Sequence, residues 1–123
     1  MNLGALKSLL FFLFLSFSQP LFSQYIENNK AKIKILDKIT TKVETLEINV
    51  NDSINFNSLH IEIFACYKNP PEDIPENFVL LKIYDKIIHS KDQATYQGWM
   101  ISSSPSTTPL EHPIYDLWLI ECK

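Results

Sequence analysis

The segment from Ser102 to Asp116 holds the densest set of side chains that could do chemistry. Glu111, His112 and Asp116 lie within six consecutive positions, and an imidazole beside a carboxylate is a common proton-transfer pair of hydrolases. In an extended chain His112 and Asp116 share one face but lie about 13 Å apart, which is too far for a hydrogen bond. Only a turn at Pro113 would bring them together.

Serine hydroxyls upstream could supply the nucleophile of such a site. Ser103 and Ser104, however, lack the glycines that surround the serine of a nucleophile elbow. The structural alternative is a serine-rich turn, with Glu111 and His112 on the rim of a loop and Asp116 hydrogen-bonded to backbone. This alternative is favoured, so we expect a non-enzymatic protein with no catalytic residue.

The histidines and cysteines do not have the spacing of a metal site. His60 and His89 are isolated, His60 lies on the polar face of an alternating segment, and the chain has no C-x-x-C. Zinc sites usually combine several cysteine and histidine ligands. We therefore expect neither a metal ion nor a cofactor.

Aromatic side chains suggest a different chemistry. Tyr96, Trp99, Tyr115 and Trp118 lie in the last two predicted strands, and exposed aromatic rings can bind sugars or peptides. In small β-domains such rings more often belong to the core. The two interpretations differ in one observable, which is whether the rings are exposed and coplanar.

Gly98 is the only glycine after residue 23, and it precedes Trp99 inside a predicted strand. A glycine in a strand indicates a β-bulge or the close approach of another backbone. A ligand that lies over Gly98 is the weaker alternative.

Residues 1–23 have the layout of a secretory signal peptide. Lys7 precedes an apolar run from Leu9 to Phe17, and Ser18 and Ser23 offer small residues at cleavage positions. The run is shorter than the roughly 20 residues that span a bilayer. We expect cleavage after Ser23, with Ser18 as second choice, and a periplasmic mature chain with no membrane span. The alternative is an uncleaved signal that tethers the protein to the membrane.

Export would place Cys66 and Cys122 in an oxidising compartment, where two cysteines normally form a disulfide. The bond would close a loop of about 56 residues and stabilise the fold by about 4 kcal/mol. A catalytic thiol is the alternative.

The charge pattern disfavours nucleic acids as partners. The chain has 11 basic residues, all lysine, and 14 acidic ones, with a net charge of −3. Loss of residues 1–23 removes Lys7 and leaves ten lysines against 14 acids, or −4. Because nucleic-acid binding requires a basic surface, we expect no such partner.

Alternating hydrophobicity divides the rest of the chain into short strands. In residues 59–67 the odd-numbered residues form an apolar face that includes Ala65 and Tyr67, whereas Phe64 and Cys66 fall on the opposite face. The predicted strands are 32–37, 43–50, 59–67, 78–84, 96–102 and 115–122.

The breaks between these segments complete the prediction. Proline-containing loops occupy residues 69–77 and 102–113, and residues 24–30 form a flexible N-terminal arm. We expect an all-β domain over residues 31–123, a small β-sandwich or partly open barrel of six or seven mostly antiparallel strands.

The sequence resembles the DUF2155 family over nearly all of residues 30–122. The likeness is carried by residues 31–50, 65–76 and 98–122, with Ala-Cys-Tyr at 65–67, Pro-Pro at 70–71, Gly-Trp-Met at 98–100 and Leu-Glu-His-Pro at 110–113. The resemblance implies a small exported alphaproteobacterial protein with no established function. Asn69 departs from the pattern, which has a basic residue before the two prolines.

The resemblance also implies that both cysteines belong to the family pattern, which supports the disulfide. Its most recognisable stretch, residues 98–116, is where we expect the surface for a partner or ligand. The candidate residues are Gly98, Trp99, Met100, Ser103, Ser104, Pro105, Glu111, His112, Tyr115 and Asp116.

Three functions follow, in order of preference. The first is a non-enzymatic envelope protein that binds another protein through Trp99, Met100 and the loop 103–113. The second is a module that binds glycan or another small ligand on the four aromatic rings of the last two strands. The third is a hydrolase that uses Glu111, His112 or Asp116.

Overall fold

The computed structural model describes residues 2–16, 24–88 and 93–123. Its elements are α1 (Leu3–Leu15), β1 (Ile26–Glu27), β2 (Lys30–Asp37), β3 (Val43–Asn49), β4 (Ser53–Phe56), β5 (Leu59–Lys68), β6 (Asn77–Asp85), β7 (Tyr96–Ile101) and β8 (Tyr115–Cys122). The predicted all-β fold is confirmed. The two strands that the sequence did not reveal, β1 and β4, are too short for alternation to be recognised.

The first helix carries none of the buried residues of the fold. All of α1 is exposed, and within the described ranges no helix is long and apolar enough to cross a membrane. The predicted cleavage positions Ser18 and Ser23, and His89, lie outside the described residues.

Two antiparallel sheets form a sandwich that does not close into a barrel. In the five-stranded sheet β5, β6 and β7 are neighbours in that order, while β1 and β4 both pair with the outer edge of β5, at its two ends. The three-stranded sheet has the order β3-β2-β8. The inner faces of the two sheets enclose one apolar core, as the period-two patterns require.

Alternation predicts the buried face of most strands correctly. Ile33 and Ile35 of β2 are fully buried, and Ile48 of β3 joins them while its neighbours Glu47 and Asn49 are exposed. The turns use residues other than glycine, with Asn51 and Asn57 in the left-handed conformation that asparagine tolerates.

In β5 the predicted faces are wrong after Ile63. The register with β6 shifts there, because Phe64 is an extra residue that has no partner opposite it. Such a β-bulge turns every following side chain to the other face. Cys66 is therefore fully buried, whereas Ala65 and Tyr67 face outward and are partly exposed.

A second bulge lies in β8, just before the other cysteine. Lys32 pairs with Glu121 and Ile33 with Leu119, so Ile120 is the extra residue. Leu119 and Cys122 consequently both point into the core although they are three residues apart.

The two cysteines meet between the sheets and form a disulfide, with Cα atoms 5.6 Å apart. The bond joins β5 of one sheet to β8 of the other. A disulfide indicates an oxidising compartment.

The segment predicted as a flexible arm, residues 24–30, is paired with both sheets. Ile26 and Glu27 lie opposite Lys68 and Tyr67 in β5, and the Asn28 amide donates to the carbonyl of Cys66 at 2.8 Å. At the other end of the segment, the amide of Lys30 donates to the carbonyl of Lys123 at 2.8 Å, beside the three-stranded sheet.

Removal of the disulfide should destabilise the domain strongly. The Cys66→Ala/Cys122→Ala variant should lose about 4 kcal/mol of unfolding free energy, because the bond restrains an unfolded chain over a separation of 56 residues. Urea titration measures the loss, and the unaltered protein in excess reductant is the matched control. A loss below about 1 kcal/mol in both samples would contradict this account.

Candidate functional site

Asp85 and His112 form a buried pair at the end of the sandwich remote from the disulfide. Asp85 is the last residue of β6 and is 2% exposed, and His112 precedes β8 and is 5% exposed. His112 Nε2 lies 2.8 Å from Asp85 Oδ2, which also accepts the Ser58 hydroxyl at 3.0 Å. Asp85 Oδ1 accepts the amide of Ile87 at 2.8 Å.

Backbone amides determine the tautomer of this histidine. His112 Nδ1 accepts the amides of Ile114 at 3.1 Å and Tyr115 at 3.2 Å. A nitrogen that accepts two N–H groups carries no proton of its own, so Nε2 is the nitrogen that donates to Asp85. Both ring nitrogens are occupied, and neither is available to take a proton from a substrate.

Asp85 is ionised in spite of its burial. Burial alone raises the pKa of the carboxyl, but hydrogen bonds from the Ile87 amide, His112, Ser58 and the Ile88 amide outweigh it and leave the pKa lowered. The carboxylate is therefore a fixed negative charge that organises the turn after β6.

The three groups of the hydrolase hypothesis lie in three separate environments. His112 is buried, Glu111 is exposed, and Asp116 pairs with Lys38 at 3.4 Å. The side-chain Nζ of Lys38 also donates to the carbonyl of His112 at 2.6 Å. The backbone amide of Lys38 donates to the carbonyl of Ile114 at 2.8 Å. These contacts fix the path of the segment into β8 without assembling a proton-transfer pair.

The serine run is held by Glu76, a residue for which the sequence predicted no role. Glu76 accepts the hydroxyl of Ser102 at 2.9 Å and the amide of Ser103 at 3.0 Å, and also the hydroxyl of Ser103. Burial raises the pKa of Glu76, but the hydroxyl and amide of Ser103, the hydroxyl of Ser102 and the amide of Asn77 outweigh it and lower the pKa.

The remaining serine region is a turn. The carbonyl of Ser104 accepts the amide of Thr107 at 3.0 Å, and Pro105 is exposed. The hydroxyl of Ser103 is hydrogen-bonded to the carboxylate of Glu76, so within the described residues the contacts of the serine run are those of a turn.

His60 is held by neighbours of its own sheet. Its Nδ1 lies 2.6 Å from Asn55 Oδ1 and its Nε2 lies 3.4 Å from Glu62. Across the described ranges, no group of three or more acidic, histidine or cysteine residues could hold a metal ion.

The four aromatic residues singled out in the sequence do not form one platform. Tyr115 is buried against Phe56, Tyr96 points inward, Trp118 lies on the three-stranded sheet, and only Trp99 is largely exposed, at 44%. Met100, the neighbour of Trp99, is buried and belongs to the core.

Gly98 is needed for backbone conformation and not for a bulge. The register between β6 and β7 is continuous through it, but its φ is +150°. The ring of Tyr96 crosses the glycine, and its hydroxyl donates to the carbonyl of Trp99 at 2.7 Å. A Cβ at Gly98 would lie 3.7 Å from that hydroxyl oxygen, so the backbone angle, more than lack of space, selects glycine.

Trp99 belongs to an aromatic groove on the outer face of the five-stranded sheet. The groove has a volume of about 280 Å³ and is lined by Tyr25, Tyr67, Phe78 and Trp99. The rings of Tyr67 and Trp99 are 6.0 Å apart, and those of Tyr25 and Phe78 meet edge to face at 5.5 Å. Three strands and the segment before β1 thus contribute to one apolar surface.

The sequence identified only one of these four residues. Alternation predicts Tyr67 on the inner face because it does not reveal the bulge, and Tyr25 falls in the predicted N-terminal arm. Phe78 is the first residue of a predicted strand for which no site is proposed. One signal was available: a disulfide requires Cys66 to face inward, and its neighbour Tyr67 must then face outward.

Comparison with known proteins assigns the chain to a family. A family model described as an uncharacterized protein conserved in bacteria, DUF2155, matches residues 31–122. The chain belongs to the DUF2155 family. The match begins at the second residue of β2 and ends at the last residue of β8, so both cysteines of this DUF2155 domain are within it.

This DUF2155 chain is also similar in sequence to an individual bacterial protein. It is 31% identical over 100 residues to an uncharacterized protein of Rickettsia prowazekii (strain Madrid E), a match that covers 81% of this chain and 64% of the relative. The chain thus spans less than two thirds of the length of that relative. No solved structure shows a significant match.

The lowered pKa of Asp85 makes the DUF2155 domain acid-sensitive at this pair. Because the folded-state pKa is below the ordinary aspartate value of about 3.9, the stabilisation is complete above that pH and is lost as the pH falls through the folded value. Asp85→Asn should lose about 2–4 kcal/mol at neutral pH, since either orientation of the new side chain turns its NH2 group toward a donor, the Nε2–H of His112 or the amide of Ile87.

The measurement is the unfolding free energy between pH 7 and pH 2, with Asp116→Asn as the matched control. Asp116 is half-exposed in its pair with Lys38, and removal of such a surface pair changes stability by about 0–1 kcal/mol. Equal losses in both variants, or an unchanged acid limb in Asp85→Asn, would contradict the role given to Asp85.

Proposed function

We propose that this DUF2155 protein is an exported, non-enzymatic domain of the cell envelope that binds another protein over the aromatic groove of Tyr25, Tyr67, Phe78 and Trp99. The observation that carries the proposal is that these four rings lie together on the outer face of one sheet, with Tyr25 and Trp99 exposed and Tyr67 and Phe78 half-buried. Rings with 44% exposure at Trp99 and 56% at Tyr25 contribute nothing to the core. Aromatic residues clustered at the surface are typical anchors of protein interfaces.

The chemistry-bearing residues of the domain support a non-enzymatic role. Glu76 accepts backbone and hydroxyl groups of the protein itself, and Asp85 and His112 bind each other as well as nearby backbone amides. Their contacts hold the loop between β7 and β8 in place. The contacts of this loop and the disulfide stabilise the fold. They leave the groove as the proposed binding surface.

The export part of the proposal is supported by two independent features. Residues 1–23 have the signal-peptide pattern, and the disulfide requires an oxidising compartment to form and persist. Cleavage after Ser23 would leave Tyr25 as the second residue of the mature protein, at the mouth of the groove.

Site-specific photo-crosslinking in intact bacteria tests the groove. Trp99 replaced by the photoreactive residue benzoylphenylalanine should give a discrete adduct, because the partner contacts this position. Trp118 carries the same ring on the outer face of the other sheet, so the same replacement there is the matched control. Adducts at both positions, or at Trp118 alone, would overturn the proposed surface.

The adduct also needs a test of its chemistry. Mass spectrometry identifies the crosslinked protein, and the purified pair should lose at least tenfold in affinity with Phe78→Ala in this protein. Thermal unfolding of the variant checks that its fold is retained.

Glycan binding is the second candidate, favoured by the size of the groove and the tilt of 36° between the Tyr67 and Trp99 rings. Soluble peptidoglycan fragments would then change the fluorescence of Trp99 and saturate with concentration. Saturable binding of fragments together with no protein adduct at Trp99 would replace the first candidate by the second.

The processing site is a separate prediction. The protein recovered from the periplasm should begin at Gln24 and lack 23 residues, and N-terminal sequencing with intact mass measures this. A start at Gln19 would indicate cleavage after Ser18 instead. A full-length chain in the membrane fraction would contradict cleavage and support the tethered alternative.

A further inference from the structure

The strand β7 presents an unpaired edge beside the groove. It pairs with β6 on one side, and no strand of the described ranges pairs with its other side. The register determines which backbone groups face that open side. Since the Ser102 amide bonds to the Asn77 carbonyl at 3.0 Å, the amides of Gln97, Trp99 and Ile101 point away from β6.

The position of one hydroxyl agrees with this assignment. The Trp99 carbonyl accepts the hydroxyl of Tyr96 and not a group of β6. A carbonyl oxygen has two lone pairs, so Trp99 can still accept a second hydrogen bond.

The other edge strands carry features that discourage pairing, and β7 does not. Exposed strand edges are usually protected by charges, proline, bulges or short length. Among the described edges, β3 carries Glu44 and Glu47, β8 carries two acids and the bulge at Ile120, and β1 and β4 are two and four residues long. The six residues of β7 include no charged residue, no proline and no bulge.

The groove continues this open edge. Trp99 belongs to both, because its backbone lies on the edge and its ring lines the groove. A strand added to β7 would lie about 4.8 Å away, and every second side chain would project beside Trp99 on the outer face. Backbone pairing and an apolar contact are therefore available to one extended ligand at the same time.

We propose that β7 binds an extended segment of the partner protein as an additional antiparallel or parallel strand, with an apolar side chain of that segment over the groove. This proposal rests on the proposed protein-binding function and names the form of the partner. The exposed edge is about 20 Å long. A rigid second copy of the chain would contact it along one strand only. A specific interface between rigid partners needs roughly 800 Å² from each, whereas a flexible segment can follow the edge and fill the groove.

The test uses the protein in the processed and oxidised form that the cell produces, with a fluorescein-labelled synthetic peptide of alternating threonine and leucine as the probe. Binding is followed by fluorescence anisotropy. Gln97→Pro removes an outward amide without removing any bond to β6, and it should weaken binding at least tenfold. Gln97→Ala changes the same side chain but keeps the amide, and it should bind at least tenfold more tightly than Gln97→Pro.

A second arm changes the peptide and leaves the protein intact. Methylation of alternate peptide amides removes the hydrogen-bonding edge and should also weaken binding at least tenfold. Thermal unfolding confirms that Gln97→Pro retains the fold, and if it does not, the methylated peptide alone decides.

Each other outcome overturns the inference. No binding of the unmodified peptide at millimolar concentration excludes strand addition, as does equal binding of its methylated form. A concentration-dependent dimer that Gln97→Pro abolishes would make a second copy of the chain the occupant. An adduct at Trp99 in cells that Gln97→Pro leaves unchanged would retain the proposed function and reject strand pairing.

Discussion

A disulfide between two stacked sheets can form only if both cysteines point into the space between them. In a regular strand every second residue faces inward. Ile63 and Leu119 face inward and lie three positions before Cys66 and Cys122, so regular alternation would turn both cysteines outward. One extra residue in each strand, the bulge, turns both cysteines inward. The same correction turns Tyr67 outward, so the covalent link inside the sandwich and the aromatic surface outside it have a common origin.

Asp85, Glu76 and His112 bind backbone and hydroxyl groups of the protein itself. The loop between β7 and β8 is long and contains prolines, so few of its backbone groups can pair with a strand. Carboxylates at Asp85 and Glu76 accept amides and hydroxyls that would otherwise lose water without compensation. His112 does the same from the loop itself by accepting two amides of the chain that follows it. Ser58, Asp85 and His112 therefore form one set of contacts that holds this loop against the end of the sandwich.

Much of the fold was predictable, because burial of one face leaves a period-two record in the sequence. The six long strands, the sandwich class and the inward residues such as Ile33 and Ile48 follow from that record. Alternation alone does not reveal the bulges, although the need for Cys66 to face inward indicates the one in β5 and turns Tyr67 outward. The complete groove could not be predicted, because Tyr25 and Phe78 come together only through pairing across distant segments. The prediction of a bulge at Gly98 was wrong, because the register is continuous there and a backbone angle, not an inserted residue, requires the glycine.

Different interactions hold the two ends of the sandwich together, the disulfide at one end and the Asp85–His112 pair at the other. Cys66 lies level with Val79 on β6, whereas Asp85 lies six residues further along the same strand, about 20 Å away. One fastening responds to thiol reductants and the other to protons. Amide hydrogen exchange should therefore begin at the disulfide end of β6 in reductant and at the Asp85 end of β6 at low pH, because each condition removes the interaction at one end only.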